Sequence, residues 1–435
     1  MSAIKPFDHL TINFMERTEL KNTIITRAAQ AKIASRALAA LSGEAKSKIL
    51  IAIAEAVSAQ KKEILFQNEI DVDAAKEAGL SEALIDRLAL NDKRVEDMAK
   101  SIREIAAQKD PVGEIIEELN PPSGLKIRRV RVPLGVVGII YESRPNVTAD
   151  ASALCIKAGN AIILRGGSEA INSNNALVKI IAKAAYSAGL PEGALQFIEV
   201  ADREAIIDMI KLDNLIDLII ARGGEEMIKF VREHATVPVL AHGKGLCHTY
   251  IDKSADIEMA KKIAVNAKCQ RPGVCNAMET LLVHSDAANK LLPSLCELYF
   301  KQGVEIRGCQ VTKSVVPQVK DASEEDWSEE YLSLKLSIKV VNSLEDAIAH
   351  INKYGSGHSE AIITGDEAAA EKFLREVDAA AVFHNASTRL HDGGVFGLGA
   401  EIGISTNKLH ARGTMGAKEL TTTKFLVYGH GEVRQ

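Results

Sequence analysis

The sequence lacks an excess of positive charge and any long apolar run. Its 53 Lys and Arg against 58 Asp and Glu give a formal net charge of −5, which provides no basic field to hold a phosphate backbone or an anionic membrane. The longest largely apolar run, residues 133–141, is far shorter than a membrane span, and the first twenty residues contain no apolar core of a signal peptide. We therefore predict a cytoplasmic protein that binds neither nucleic acid nor a membrane.

Cysteine is scarce as well. Six cysteines are too few for a disulfide scaffold in a chain of 435 residues, and no two of them form a Cys-x-x-Cys pair for zinc or redox exchange. We expect reduced thiols at positions 155, 247, 269, 275, 296 and 309, and we predict no metal site. The phosphate-binding motif Gly-x-x-x-x-Gly-Lys-Ser/Thr is also absent, which argues against a kinase.

The patterns that are present predict an α/β protein. Residues 23–108 carry apolar positions at helical spacing, and from residue 135 short apolar strands alternate with longer helical stretches. The predicted strands are residues 135–140, 160–164, 195–200 and 215–220, and the predicted crossover helices are residues 147–157, 168–188, 202–211 and 224–234. This alternation predicts a doubly wound parallel sheet, which binds ligands at the carboxyl ends of its strands. A second α/β series begins near residue 247 and predicts a separate catalytic domain.

Two strand-like segments lie outside these series. Residues 125–132 alternate apolar and basic side chains, and residues 420–428 form one more strand-like run near the end of the chain. We interpret the alternating charge as the solvated face of a strand rather than as an anion site. Together the two segments predict an arm that is a candidate for pairing across a subunit boundary.

Cys275 is the strongest candidate for chemistry. It follows a Pro-Gly turn between a helix-like segment and the strand-like residues 280–284. A thiol acts as a nucleophile only as the thiolate, which requires partial exposure and nearby cations, and Lys268 and Arg271 lie a few residues away. The alternative is a buried structural cysteine, which is the commoner fate of a thiol.

Two glycine motifs bear on nucleotide binding. Residues 397–403 have the form Gly-x-Gly-x-x-x-Gly, which is one residue longer than the dinucleotide fingerprint, and they follow no clear first strand, so we do not predict a phosphate loop there. Residues 222–226 follow a predicted strand and open a predicted helix with two glycines. Backbone N–H groups at such a turn approach a pyrophosphate closely, although plain turn chemistry is the alternative.

Several ordered segments resemble the aldehyde dehydrogenase superfamily, namely residues 133–138, 158–165 and 270–276. Longer strings are similar to the branch of that superfamily that reduces L-glutamate 5-phosphate to its 5-semialdehyde in proline biosynthesis, namely residues 141–147, 385–389, 397–406 and 410–416. The resemblance implies an aldehyde-dehydrogenase-like fold in three parts. These are an NADP-binding domain of residues 1–112 and 134–246, a catalytic domain of residues 247–409, and a small β oligomerisation arm of residues 113–133 and 410–435.

The resemblance also implies a mechanism. In this branch a cysteine thiolate, at the position of Cys275, displaces phosphate from the substrate, and the resulting thioester accepts hydride from NADPH. Asn146 matches the asparagine that helps bind the carbonyl oxygen, with a helix-capping role as the alternative. Hydrolytic relatives carry a water-activating glutamate where this chain has Ala241 and His242, which implies a thioester that is protected from water. His242 acting as a substitute base is the alternative.

Cofactor and substrate residues are implied in the same way. The family turn that favours NAD carries a glutamate, whereas this chain has Arg165 and Ser168, which tolerate the 2′-phosphate of NADP. Gly223 and Gly224 match a pyrophosphate contact, and Glu330 matches a glutamate that holds the nicotinamide ribose. The candidates for the phosphate and carboxylate of the substrate are Arg144, Arg271 and Arg389, with surface ion pairs as the alternative, and further donors are Ser143, Asn276 and Thr388.

Two other functions stay open from the sequence. One is an acylating aldehyde dehydrogenase that uses coenzyme A instead of phosphate, and the other is a non-catalytic partner of the glutamate kinase that makes the acyl phosphate. The predicted partners are therefore a small-molecule substrate, L-glutamate 5-phosphate, further copies of the chain in a dimer or tetramer, and glutamate kinase as a candidate.

Overall fold

The computed structural model describes residues 14–200, 202–241 and 243–434, so His242 lies outside the described residues. The predicted helical start of the chain is confirmed as five helices: α1 (Phe14–Ala39), α2 (Gly43–Ala59), α3 (Lys61–Glu77), α4 (Glu82–Leu88) and α5 (Asp92–Ala107). Ser42, Ser81 and Asn91 cap α2, α4 and α5, because each side chain accepts a backbone N–H of the first turn.

The predicted doubly wound sheet is confirmed. Its strands are β3 (Val136–Tyr141), β4 (Ala161–Gly166), β5 (Leu195–Phe197), β6 (Leu218–Arg222) and β7 (Val239–Leu240), all parallel in the order β5-β4-β3-β6-β7. The helices between them are α6 (Asn146–Ala158), α7 (Ile171–Ser187), α8 (Arg203–Met209) and α9 (Glu225–His234), with a 3-10 turn at Ser168–Ala170. Helices α1, α2 and α5 bury their apolar faces in the same core as this sheet.

A second parallel sheet has seven strands in the order β11-β10-β12-β9-β8-β13-β14. Its strands are β8 (Cys247–Ile251), β9 (Met278–His284), β10 (Glu305–Gly308), β11 (Lys320–Asp321), β12 (Lys335–Val341), β13 (Ser359–Ile363) and β14 (Ala381–His384). Its helices are α10 (Ile257–Cys269), α11 (Ser285–Lys301), α12 (Gln310–Val315), α13 (Leu344–Tyr354) and α14 (Glu367–Glu376), with 3-10 turns at Glu325–Ser328 and Thr388–Leu390. The predicted second α/β series is therefore a sheet in its own right.

The predicted arm is a three-stranded antiparallel sheet. It consists of β1 (Ile115–Leu119), β2 (Lys126–Pro133) and β17 (Thr421–Tyr428), with β2 in the centre, and a two-stranded ribbon of β15 (Ile404–Ser405) and β16 (Gly413–Thr414) precedes β17. The basic side chains of β2 form ion pairs with β1 and the residue before it, since Arg128 contacts Glu118 and Arg131 contacts Glu114. The interpretation of that charge as a solvated strand face is confirmed.

No helix within the described ranges is both long and apolar enough to cross a lipid bilayer.

Candidate active site

Residues 270–277 carry the predicted nucleophile Cys275, and this segment, the nucleophile loop, connects the end of α10 to the start of β9. Lys268 on α10 and Glu279 on β9 form a fully buried ion pair of 2.6 Å that ties the two ends of the loop together. From the other side, Arg87 of α4 donates a hydrogen bond of 2.7 Å to the carbonyl oxygen of Gly273. Because hydrogen bonds of charged groups are among the stronger ones, these two contacts brace the loop.

Cys275 lies half-buried in this loop, and its backbone packs directly on Gly245. Any side chain at position 245 would overlap the backbone of Cys275, so only glycine permits this approach. The thiol of Cys247 donates to the carbonyl oxygen of Cys275 at 3.1 Å. The position of Cys275 is thus set by its backbone contacts.

Four of the other five thiols are buried or have a raised pKa, whereas the fifth, Cys309, is half-buried, and against the effect of burial its pKa is lowered by hydrogen bonds with Thr312 and the backbone of Val340. Cys155, Cys247 and Cys296 are buried, and burial raises the pKa of each of them, that of Cys296 to about 12. Burial also raises the pKa of Cys269, six residues before Cys275. These four thiols are therefore poor nucleophiles at neutral pH.

A second group of side chains holds the carboxyl end of the nucleophile loop. Arg389 donates to the Gln270 side chain at 3.0 Å and also to the side-chain oxygen of Asn276. Asn276 in turn donates to the carbonyl oxygen of His391 at 2.9 Å, and Thr388 donates to the backbone of Asn276 at 2.8 Å. Arg389, Asn276 and Thr388, predicted as substrate donors, thus have hydrogen bonds inside the protein.

Asn146 is the first residue of α6 and is exposed. Pro145 precedes it as the N-terminal boundary, and no side chain caps this helix, so the predicted alternative of a helix cap at Asn146 is wrong. One amide N–H of Asn146 donates to Asp150 at 3.0 Å, and the other Asp150 oxygen accepts from Ser101 at 3.1 Å. Since an asparagine amide has two N–H donors, the second one is left to bind another acceptor.

A cavity of about 390 Å³ lies between the N-terminal helices, the start of α6 and residues 392–402. Five arginines line it: Arg87, Arg94, Arg144, Arg222 and Arg271. Two of the three predicted substrate arginines, Arg144 and Arg271, therefore line one cavity, whereas Arg389 does not line it.

Arg144 carries the least compensated charge of the cavity. Burial lowers the pKa of Arg144 to about 10, and the positive charges of Arg222 and Arg87 lower it further. Its charge also interacts with Cys275, and no described residue forms a salt bridge or hydrogen bond with its guanidinium. A cavity with one unpaired cation whose charge reaches a nearby thiol is suited to an anionic ligand that brings its reactive carbon to the sulfur.

One acidic side chain of the cavity is also only partly satisfied. Glu401 is half-buried, and burial raises the pKa of Glu401 to about 7 against the opposing effect of Arg222. One of its oxygens accepts the backbone N–H of Gly393 at 3.0 Å. Sequence reasoning missed Glu401 because residues 397–406 were considered as a phosphate loop and as a family motif, and neither assigns a role to the acid. It missed Arg87 because that residue lies 186 positions before Gly273.

The predicted dinucleotide side of the site adjoins the nucleophile loop. Glu330 accepts the backbone N–H of Gly245 at 2.9 Å, so its carboxylate lies next to the residue on which Cys275 packs. Gly223 and Gly224 form the turn into α9, as predicted. The Gly224 N–H, however, is occupied by the carboxylate of Glu142 at 2.8 Å.

The remaining predicted cofactor residues lie at the end of β4. Arg165 is 6% exposed, and the charges of Glu169, Glu142 and Asp202 act on it. Ser168 is exposed and opens the following 3-10 turn. Ser143, predicted as a substrate donor, instead donates from its hydroxyl to Glu169 at 2.7 Å.

Ala241, one of the two residues predicted to stand in place of a water-activating glutamate, is apolar. Ala241 follows β7 directly and is 2% exposed. A methyl group takes no proton from water, so this position supplies no base against an acyl intermediate on the thiol.

Comparisons with known proteins agree with this geometry. The family model described as the aldehyde dehydrogenase family matches residues 1–325. A gamma-glutamyl phosphate reductase from Thermodesulfovibrio yellowstonii is 52% identical over 417 residues, covering 96% of this chain and 100% of the relative. One from Caldanaerobacter subterraneus subsp. tengcongensis is 56% identical over 409 residues, covering 94% and 99%. The crystal structure of gamma-glutamyl phosphate reductase from Thermotoga maritima has a TM-score of 0.91 at 50% identity, covering 95% of this chain and 100% of that one.

Proposed function

The chain belongs to the aldehyde dehydrogenase family and, within it, to the gamma-glutamyl phosphate reductases, and from this we propose that it reduces L-glutamate 5-phosphate to L-glutamate 5-semialdehyde and inorganic phosphate with NADPH, in proline biosynthesis. It is an oxidoreductase with a nicotinamide cofactor. The observation that carries the proposed substrate is the arginine-lined cavity in which the unpaired Arg144 interacts with Cys275. An acyl phosphate with an α-carboxylate brings a negatively charged partner for Arg144.

Cys275 is the proposed nucleophile. Its thiolate attacks the C5 carbonyl carbon, a carbon–sulfur bond forms, the carbon–oxygen bond to phosphate breaks, and inorganic phosphate leaves. Arg144 and the other cavity arginines supply the positive charge that holds the substrate phosphate and stabilises it as it departs. The clamped nucleophile loop supports this step because a fixed thiol needs little reorganisation to reach the carbonyl.

Asn146 is the proposed donor to the carbonyl oxygen, together with the backbone N–H of Cys275. Negative charge develops on that oxygen when the thiolate adds, and a fixed donor stabilises it. The hydrogen bond to Asp150 supports this role because it fixes the orientation of the Asn146 amide. The second N–H of that amide stays available to donate to the carbonyl oxygen of the substrate.

The proposed cofactor site fits a dinucleotide on two counts. First, a side chain at position 223 would overlap Glu142 and Met227, so the turn into α9 stays open only because residue 223 is glycine. Second, the hydrogen bond from the Gly245 N–H holds Glu330 beside the nucleophile loop. Bound NADPH would supply the hydride that converts the thioester to the semialdehyde. Glu330, Gly223 and Gly224 are the proposed contacts to its ribose and pyrophosphate, and Arg165 and Ser168 those near the adenosine ribose.

The thioester is proposed to survive until it is reduced. Ala241 places a buried methyl group where hydrolytic relatives carry a base, and this supports reduction over hydrolysis.

The reverse reaction tests the proposed function. With L-glutamate 5-semialdehyde and NADP⁺, we expect cofactor reduction that depends on phosphate or arsenate and is unaffected by coenzyme A. Absorbance at the NADPH band measures the rate, and NAD⁺ in place of NADP⁺ measures the cofactor preference. Dependence on coenzyme A alone would replace this proposal by a coenzyme-A-linked acylating dehydrogenase, and no turnover with either acceptor would favour a non-catalytic role.

A single substitution tests the proposed pyrophosphate contact. Glu142→Gln should tighten NADPH binding about tenfold, because the Glu142 carboxylate occupies the Gly224 N–H and its charge opposes a phosphate there. Fluorescence titration of NADPH gives the dissociation constant. Glu233→Gln is the control, since Glu233 is an exposed acid near the other end of the same helix and should change binding less than about twofold. Weaker NADPH binding in Glu142→Gln would contradict this assignment.

Partners, location and domain boundaries remain predictions. The division into residues 1–112 with 134–246, 247–409, and 113–133 with 410–435 is supported by the three large sheets, which fall in those ranges. Exposed apolar side chains of the arm, such as Ile116 and Phe425, support its proposed use between subunits of a homo-oligomer. Glutamate kinase as a partner and a cytoplasmic location are proposed from the sequence alone.

A further inference from the structure

We propose that Glu401 binds the α-ammonium group of the substrate and so makes the enzyme selective for an amino acid over the corresponding desamino acid. This inference rests on the proposed function, because it concerns the same cavity. An α-ammonium buried in a cavity lined by arginines requires a carboxylate partner, since otherwise its charge is surrounded by charges of the same sign. The cavity offers five acids, and their contacts distinguish them: Asp86, Asp97, Asp150, Asp392 and Glu401.

Of the other acids, Asp150 has both oxygens occupied within the protein and Asp392 is exposed. Asp150 accepts Asn146 at 3.0 Å on one oxygen and Ser101 at 3.1 Å on the other. Asp392 accepts the backbone N–H groups of Gly394 at 2.9 Å and Val395 at 3.2 Å on one and the same oxygen, but it is exposed, so water competes for its charge. Neither is a free partner for a buried cation.

The remaining two aspartates lie at the mouth of the cavity. Asp86 is exposed and forms ion pairs with Arg94 at 2.8 Å and Arg271 at 3.9 Å. Asp97 is exposed as well, so water competes for its charge. A selective contact needs a carboxylate that is removed from water, which these two are not.

Glu401 meets that requirement. It is half-buried, only one of its oxygens accepts a hydrogen bond, from Gly393, and no cation of the described chain forms a salt bridge with it. The backbone approach of Gly393, where a side chain would overlap the stem of Glu401, fixes its direction. The carboxylate therefore has one oxygen in reserve for a ligand.

The cations beside Glu401 complete the recognition of an amino acid. Arg222 and Arg144 line the same cavity as Glu401, and burial, which raises the pKa of its carboxyl, is opposed by their positive charges. Arg222 has one N–H on the carbonyl oxygen of Ile402 and other donors left for a ligand. In an α-amino acid the ammonium and the carboxylate share one carbon, so their partners must be an acid and an arginine placed side by side.

The test compares two aldehydes in the reverse, phosphate-dependent reaction. One is L-glutamate 5-semialdehyde, and the other is 5-oxopentanoate, which is identical except that it lacks the amino group. We expect Glu401→Gln to raise KM for the semialdehyde about 30-fold while leaving KM for 5-oxopentanoate within about twofold, so that the preference for the amino substrate is lost. Retained turnover of 5-oxopentanoate shows that the variant is folded.

Glu419→Gln is the matched control, because Glu419 is also a half-buried glutamate that accepts a glycine N–H, that of Gly416 at 2.9 Å, but does not line the cavity. Its KM values should equal those of the unmodified enzyme. An equal rise in KM for both aldehydes in Glu401→Gln, or no rise for either, would overturn the assignment of Glu401. If the unmodified enzyme turned over neither aldehyde with phosphate, the proposed function would fall, and this inference with it.

Discussion

Replacing Cys275 by serine should lower the rate of semialdehyde formation by about 10⁴-fold or more, while NADPH binding stays within about twofold of the unmodified enzyme. A serine hydroxyl is almost entirely protonated at neutral pH, so it neither attacks the acyl phosphate nor forms the thioester that is reduced. The measurements are steady-state turnover in the direction of reduction and fluorescence titration of NADPH. Because the backbone of Cys275 packs on Gly245 and the side chain changes by one atom, the nucleophile loop should keep its conformation.

Cys269→Ser is the control for this prediction. Cys269 is half-buried at the end of α10, at the edge of the same loop, and burial raises its pKa. Its loss should leave turnover within about threefold, because it takes no part in the proposed chemistry. Labelling with an iodoacetamide reagent, read by mass spectrometry, should modify Cys275 first. Selective modification of Cys269 with loss of turnover would show that Cys269, and not Cys275, is the nucleophile.

Asn146→Ala should lower kcat by about 10²- to 10³-fold with little change in KM, because the lost N–H stabilises the oxyanion only as it forms. Single-turnover kinetics, which follow release of phosphate and oxidation of NADPH separately, should show both steps slowed. Each step passes through a tetrahedral species with charge on the same oxygen. A uniform rise in KM at constant kcat would instead assign Asn146 to substrate binding.

Asn91→Ala is the control that separates the loss of kcat in Asn146→Ala from the loss of stability caused by replacing an asparagine that caps a helix. Asn91 caps α5 by accepting the Arg94 N–H at 2.8 Å, and its loss should cost about 1 kcal/mol of unfolding free energy without affecting kcat. Urea unfolding of both variants makes the comparison direct. Asn146 caps no helix, so its replacement should affect stability less than that of Asn91 and activity far more.

The sequence predicted the parts of the fold that repeat a local pattern. The strands of the five-stranded sheet and its crossover helices follow from apolar runs and helical spacing, and β4, predicted as residues 160–164, is observed as Ala161–Gly166. The turn at Gly223 and Gly224 was predicted for the same reason, since a glycine pair between a strand and a helix is a local signal. The position of Cys275 on a turn between α10 and β9 followed from the Pro-Gly dipeptide.

Contacts between distant parts of the chain lay beyond such reasoning. Arg87 reaches the nucleophile loop from a helix 186 positions earlier, and nothing in the residues around it marks that partner. Glu401 lies in a glycine-rich segment without regular structure, where spacing carries no information on burial. The occupation of the Gly224 N–H by Glu142 is likewise a tertiary contact, between the ends of two neighbouring strands.

The hydrogen bond from Arg87 to Gly273 joins two parts of the chain that are synthesised at different times. The helix that carries Arg87 is synthesised first and packs against α3, whereas the loop it braces leads into the second sheet. A chain in which only one of these two halves has folded holds a thiol without its brace. The brace on the nucleophile loop therefore forms only when both halves of the chain have folded, and unfolding of either half removes it.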